Sequence, residues 1–259
     1  MKFDFSVPMT FYEFLAIVLS AIAIIIPIVQ AIWKKWMVQA KLHFLPTGRA
    51  SLFFSHTGSF IRIDGVCEAE SKPIAIKKMT VTVTRRKDDR KLNLSWFGFI
   101  SPVNQSMFGN YLQTTEAAHP FRIEADSIAC SFIEFGDPFD SFGRQFKAFS
   151  DPLCSQISSI QIFATNYNEA VTQYKALSEY FESKRILEIE FFWDIGNYDI
   201  EIQATYGDKT ARFPFSISVG EYEYSSLIKN VEEVLLLPLK RAYGIQTNYQ
   251  TAFVELKSE

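Results

Sequence analysis

The chain has 259 residues and a net charge of −3, so no basic excess points to nucleic acid. Its 25 Phe and 11 Tyr, against 11 Gly and 10 Pro, exclude a disordered tail and predict a large β-weighted core. Three cysteines, Cys67, Cys130 and Cys154, match no disulfide framework and fit a reducing compartment.

A short N-terminal segment, 1–10, precedes the first predicted element, an apolar helix over 11–36, "FYEFLAIVLSAIAIIIPIVQAIWKKW". No charge interrupts Phe14 to Trp33, which as a helix is about 30 Å long and matches a bilayer's hydrocarbon core. Tyr12, Trp33 and Trp36 stand where interfacial aromatics belong. Lys34, Lys35 and Lys41 follow the span, whereas only Lys2 precedes it, beside Asp4 and Glu13. The positive-inside rule then predicts a single pass through the cell membrane, N-terminus outside and C-terminal domain cytoplasmic. A signal peptide cleaved after Val29-Gln30-Ala31 is the competing reading, but its n-region would lack net positive charge. Ala16, Ser20, Ala23 and Pro27 share one helix face, which either admits a second helix or simply meets lipid.

A connector, 37–48, ends in the turn signal Pro46-Thr47-Gly48 and leads into a soluble domain over 49–259. "SLFFS" is a short strand. In "SFIRIDGVCEA", Ile61, Ile63, Gly65, Cys67 and Ala69 alternate with polar residues, as in a half-buried strand. Met79, Val81 and Val83, then Leu92, Leu94 and Trp96, form a hairpin about Asp88 with valines opposite leucines. Residues 101–115 read as a loop, and "FRIEADSIACSFIEF" as two strands. Asp137-Pro138 opens a helix carrying Phe139, Phe142, Phe146 and Phe149. "SSIQIFAT" reads as a strand, and Tyr167 to Phe181 as a second amphipathic helix. Leu187, Ile189, Phe191 and Trp193 alternate with Glu188 and Glu190. With the strands over 198–206 and 211–219 they predict a three-stranded meander. Ser225 or Ser226 caps a last helix that Pro238 ends or kinks, and "YQTAFVEL" adds a strand. The expected fold is a transmembrane helix followed by a mainly-β, immunoglobulin-like sandwich with two or three helical decorations.

The runs "GSFIRIDGV", "VTVTRRKDD" and "FFWDIGNYDIEI" resemble bacterial single-pass membrane proteins of unknown role with a β-sandwich-like soluble domain. The resemblance implies an anchored β-domain and no activity.

Catalytic motifs are absent: no phosphate loop, GxSxG elbow, HExxH or CxxC occurs, and His43, His56 and His119 stand apart. No metal or other cofactor is expected. The most specific polar feature is an acidic strand face, Glu188 and Glu190 beside Asp199 and Glu201, with Glu190 opposite Glu201. Opposed like charges call for a cation, a basic partner or Arg212, unless the face is merely solvated. The turn beginning Arg85, Arg86, Lys87 either joins Lys34, Lys35 and Lys41 at anionic headgroups or stands in solvent as a charged tip. The expected function is a non-catalytic module that binds membrane lipid through its anchor. It holds a protein partner or homo-oligomer at the inner face, in a defence or stress-signalling complex. The alternatives are a metal-dependent enzyme using the acidic face and an extracytoplasmic ligand-binding domain.

Overall fold

The computed structural model describes residues 10–36, 39–107 and 110–258; the N-terminal segment 1–9 and the side chains of 34–36, 101–114, Cys130, Ser131 and Phe149 lie outside the described ones. Helix α1, Phe11–Trp36, opens on a capping box. Thr10 N donates to Glu13 Oε2 at 2.8 Å, and Glu13 N donates to Thr10 Oγ1 at 3.4 Å. From Phe11 to Trp33 it is long and apolar enough to cross a membrane, and none of it is buried against the rest of the chain.

Among the described residues eleven strands follow, all antiparallel: β1 Lys41–Ser55, β2 Gly58–Glu70, β3 Ile74–Arg85, β4 Lys91–Met107, β5 Asn110–Ala117, β6 Phe121–Ile123, β7 Ser127–Gly136, β8 Gly196–Tyr206, β9 Lys209–Val219, β10 Ala252–Glu255 and β11 Lys257–Ser258. Their order is β10-β1-β2-β7-β4-β3-β8-β9-β11, with β5 on β4 and β6 on β3. Strands β10 and β11 are neighbours in sequence but lie at opposite ends of that order. This C-terminal strap therefore joins the two edges and nearly closes the sheet into a barrel. Beyond the strap, Lys41 and Pro46 on β1 and Lys209, Arg212 and Pro214 on β9 discourage further strand pairing.

The inner face follows the period-2 pattern. Ala50, Leu52 and Phe54 of β1 meet Ile61 and Ile63 of β2, and Val81 and Val83 of β3 oppose Leu94 and Leu92 of β4. The hairpin about Asp88 is therefore in the expected register. Gly65 is required by packing: a Cβ there would lie 2.4 Å from Phe44 Cζ. The Phe44 ring reaches across the seam to Phe213 and Phe215 of β9, with centroids 5.9 and 6.0 Å away. Burial pushes the Cys67 thiol up to about 12, as for an inert core cysteine.

Among the described residues five helices decorate the sheet: α2 Ser141–Ser155, α3 Ile157–Phe163, α4 Tyr167–Lys175, α5 Ser178–Glu190 and α6 Glu221–Ala242. Several expectations are corrected here. The connector is shorter, because β1 begins at Lys41, and 101–115 is mostly strand, β4 and β5. "SSIQIFAT" lies largely in α3. The helix over 167–181 is broken at Leu177, whose ψ of 140° is extended. The strand at 187–193 does not exist: α5 runs to Glu190, and Phe191, Phe192 and Trp193 are all buried in succession. No half-buried strand can bury three consecutive side chains, since neighbours point to opposite faces. The real period is helical, with Tyr180, Ser183 and Leu187 inward. The meander is thus a two-stranded hairpin, β8–β9.

Asp137 accepts from Phe139 N at 2.9 Å and Ser141 N at 2.6 Å, so Pro138 precedes α2 rather than opening it. Helix α6 starts at Glu221, before the two serines, with Gly220 N donating to Glu223 Oε2 at 3.0 Å, and it continues through Pro238. Its Asn230 is fully buried and grips the strap: Nδ2 donates to Gln250 O and Gln250 N donates to Oδ1, both at 2.7 Å. Asn230→Ala is expected to cost about 1–2 kcal/mol. It should accelerate amide exchange at Ala252–Glu255 while the β2–β7 amides stay protected. Equal protection of the strap in the variant would remove this role.

Candidate functional site

The expected acidic face is divided in the fold. Glu188 and Glu190 lie on α5, whereas Asp199 and Glu201 lie on β8 opposite Ser216 and Pro214. Each has its own cation: Lys184 with Glu188 at 3.7 Å, Arg90 with Glu190 at 3.8 Å, Arg212 with Glu201 at 3.9 Å, and Arg86 with Asp199. Among the described residues no group of three or more His, Cys, Asp and Glu could hold a metal ion.

The cations of the β3–β4 turn are likewise committed. Arg85 is buried, donates to Asp88 through Nε at 2.8 Å, and donates through Nη1 to Phe192 O at 3.2 Å. That guanidinium pulls the Asp88 carboxyl down to about 2. Lys87 pairs with Asp194, and Arg90 donates to Ile189 O at 2.9 Å, closing the C-terminal end of α5. The turn is welded to the α5–β8 connection. It also lies twelve residues of β3, about 40 Å, from the end of the sheet where the chain leaves α1. Lys41 stands at that near end and pairs with Glu70 at 3.7 Å. On α1, Ala16, Ser20, Ala23 and Pro27 are exposed along one face, and the Ser20 hydroxyl donates to Ala16 O at 2.8 Å.

A different polar cluster lies on the outer sheet face. The strand registers set Phe253 of β10, Ser51 of β1, Arg62 of β2 and Glu134 of β7 side by side in one row. Their chain neighbours Ala252, Leu52, Ile61 and Ile133 fill the core, so these four point outward. Phe53 lies on one side of the row, stacked on Phe60 at 4.8 Å. The Phe60 ring in turn lies over Gly136, where a Cβ would come within 2.3 Å of it. On the other side, Arg49 donates to Asp64 Oδ2 at 2.8 Å and covers the Phe253 ring at 5.3 Å.

Between these walls runs a groove of about 450 Å³, lined by Ser51, Phe53, Arg62, Glu134, Thr251 and Phe253 among others. Its floor is unusually buried for an outer face: Ser51 is 1% exposed and the Arg62 side chain 17%, and the Asp64 that pairs with Arg62 is itself 1% exposed. Arg62 Nε and Asp64 Oδ1 lie 3.4 Å apart as an ion pair, yet neither has a hydrogen-bond partner among the described residues. Burial raises the Glu134 carboxyl above the ordinary glutamate range, and the neighbouring Arg62 only partly offsets this. The fold therefore favours the protonated form and loses that stability as pH rises through the folded value. Glu134→Gln is expected to raise Tm at about pH 8 and change it little at about pH 4. A stabilisation equal at both pH values would contradict the burial argument.

Arg62 and Asp64 were visible in sequence only as the polar half of an alternating strand. What brings Glu134 to them is a strand pairing across more than seventy residues, which local patterning cannot reveal.

No family model matches the chain, and no curated protein matches it. Among solved structures it is similar to a family 123 glycoside hydrolase from Clostridium perfringens, described for glycolipid glycan hydrolysis. The identity is 10%, the TM-score 0.30, and the match covers 70% of this chain. The chain spans 27% of that enzyme's length. A likeness at this level carries no argument about fold or activity.

Proposed function

We propose that this protein is a membrane-anchored, non-catalytic interaction module that holds a protein partner, or a second copy of itself, at the inner face of the cell membrane. The observation that carries the proposal is α1. Its Ile, Leu, Val and Phe side chains have no cover within the molecule, and a β domain begins a few residues after it. Exposed apolar surface of that extent is stable only against lipid or another protein. Lys34, Lys35 and Lys41 after the span support a cytoplasmic domain by the positive-inside rule. The metal-dependent alternative relied on an acidic strand face that α5 and β8 divide between them.

Reporter fusions after Glu259 test the orientation. Green fluorescent protein is expected to fluoresce there and alkaline phosphatase to be inactive; an active phosphatase reverses the topology. Purification in mild detergent tests the module itself. Recovery of a stoichiometric partner or a homo-oligomer is expected, and repeated recovery of a lone monomer ends the proposal.

A further inference from the structure

We propose that the end of the sheet where the chain arrives from α1 rests on anionic lipid headgroups through one corner, formed by Lys77 and Lys78 of β3 and Lys209 of β9. This rests on the membrane-anchored reading and names the face of the domain that the bilayer meets.

The tether fixes the place. Only 37–40 separate Trp36 from Lys41, so β1 begins at most about 18 Å from the end of α1. The connector is also held part-way: Lys209 Nζ donates to Gln39 Oε1 at 2.8 Å. Gln39 follows Trp36 by three residues, a reach of at most about 11 Å. The turn between β8 and β9, at Gly207 and Asp208, is therefore kept about a Debye length from the headgroup layer in which α1 ends. Strand pairing brings β3 to the same corner. Ile76 lies opposite Tyr206 and Lys78 opposite Thr205, and Lys77 Nζ donates to Gly207 O at 3.0 Å.

The charge distribution agrees. Lys77, Lys78 and Lys209 are exposed, and among the described residues none of them pairs with a carboxylate. Other cations at this end are committed, Lys41 to Glu70 and Arg122 to Glu124. So are Arg85, Arg86, Lys87 and Arg90 at the opposite end. The segments 74–80 and 203–211 carry one acid, Asp208, against the three lysines, and Lys34 and Lys35 add positive charge where the span ends. The whole chain is at −3, so an anionic leaflet repels the body of the domain while it draws this corner in. Lysine ammonium groups are compact, hydrated point charges suited to headgroup phosphates. The tether also gives those phosphates a high effective concentration that a dissolved anion lacks.

Hydrogen exchange of the full chain in nanodiscs tests the proposal, with phosphatidylcholine alone and with about 30% phosphatidylglycerol as the two bilayers. Amides at 207–210 are expected to exchange about threefold or more slowly over the anionic bilayer, and the difference should vanish in about 0.5 M salt. The 86–90 turn at the far end should not respond. Lys77→Gln, Lys78→Gln and Lys209→Gln combined should abolish the slowing without moving the domain melt, because all three side chains are exposed. The charge-matched combination Lys147→Gln, Lys184→Gln and Lys229→Gln, on α2, α5 and α6, should keep it. Equal exchange over both bilayers, slowing that survives the corner variant, or the same slowing over phosphatidylcholine with inorganic phosphate added would each overturn the proposal. In those cases a chain still embedded in the nanodisc leaves the anchored reading standing, whereas a chain that does not incorporate removes both.

Discussion

Arginines in place of Ile22 and Ile26 are expected to release the protein from the membrane. Both positions lie in the middle of α1 and both side chains are exposed. Each arginine at a helix centre costs about 2.5–3.5 kcal/mol, and each lost isoleucine removes about 0.5 kcal/mol of insertion free energy. The total, about 6–8 kcal/mol, exceeds the roughly 4 kcal/mol by which about a dozen apolar residues favour insertion. After alkaline carbonate extraction, wild type should stay in the pellet and the double variant should move to the supernatant. The domain should fold alike in both, because no part of the helix is buried against it. Retention of the double variant in the carbonate pellet would mean that α1 is not what holds the protein there.

Trp193→Ala is expected to be the most damaging single change in the β domain. The indole is fully buried, packs against Phe192 and Tyr198 at 5.2 and 5.8 Å, and donates through Nε1 to Phe53 O at 3.1 Å. Truncating a buried tryptophan costs about 3–5 kcal/mol. A domain of this size typically has about 5–15 kcal/mol in total, so the thermal midpoint should fall by about 10 °C or more. The change also removes the tie that holds Phe53, one wall of the outer groove. Trp33→Ala serves as a control: that residue is exposed on α1, so the domain melt should not move. A melt for Trp193→Ala within a degree or two of wild type would contradict the packing described.

These two tryptophans mark how far local reading reaches. Trp33 sits in a charge-free apolar run of about twenty residues, a pattern that reads as a long apolar helix from the contiguous stretch alone. Trp193 ends an alternating run, Leu187 to Trp193, that fits a strand as well as it fits the last turn of a helix followed by a buried extended segment. Tertiary packing chose the second, because the 191–193 segment is covered on all sides. The same ambiguity misled the reading of "SSIQIFAT". The β3–β4 hairpin was legible because turn, parity and register all lie within about twenty residues.

By itself the amino-acid sequence determined the apolar helix, the alternating strands β2, β3, β8 and β9, the charged turn after Val83 and a last helix carrying Leu227, Val231, Val234 and Leu235, all properties of contiguous stretches, whereas the start of that helix at Glu221 and its passage through Pro238 came from the structure. Only the tertiary structure decided that the sheet nearly closes through a C-terminal strap, that Glu188 and Glu190 stand on a helix while Asp199 and Glu201 stand on a strand, and that Arg62 and Glu134 stand together. The physical reason is that hydrophobic periodicity specifies which side of an element is buried, while strand order depends on the packing of every element at once.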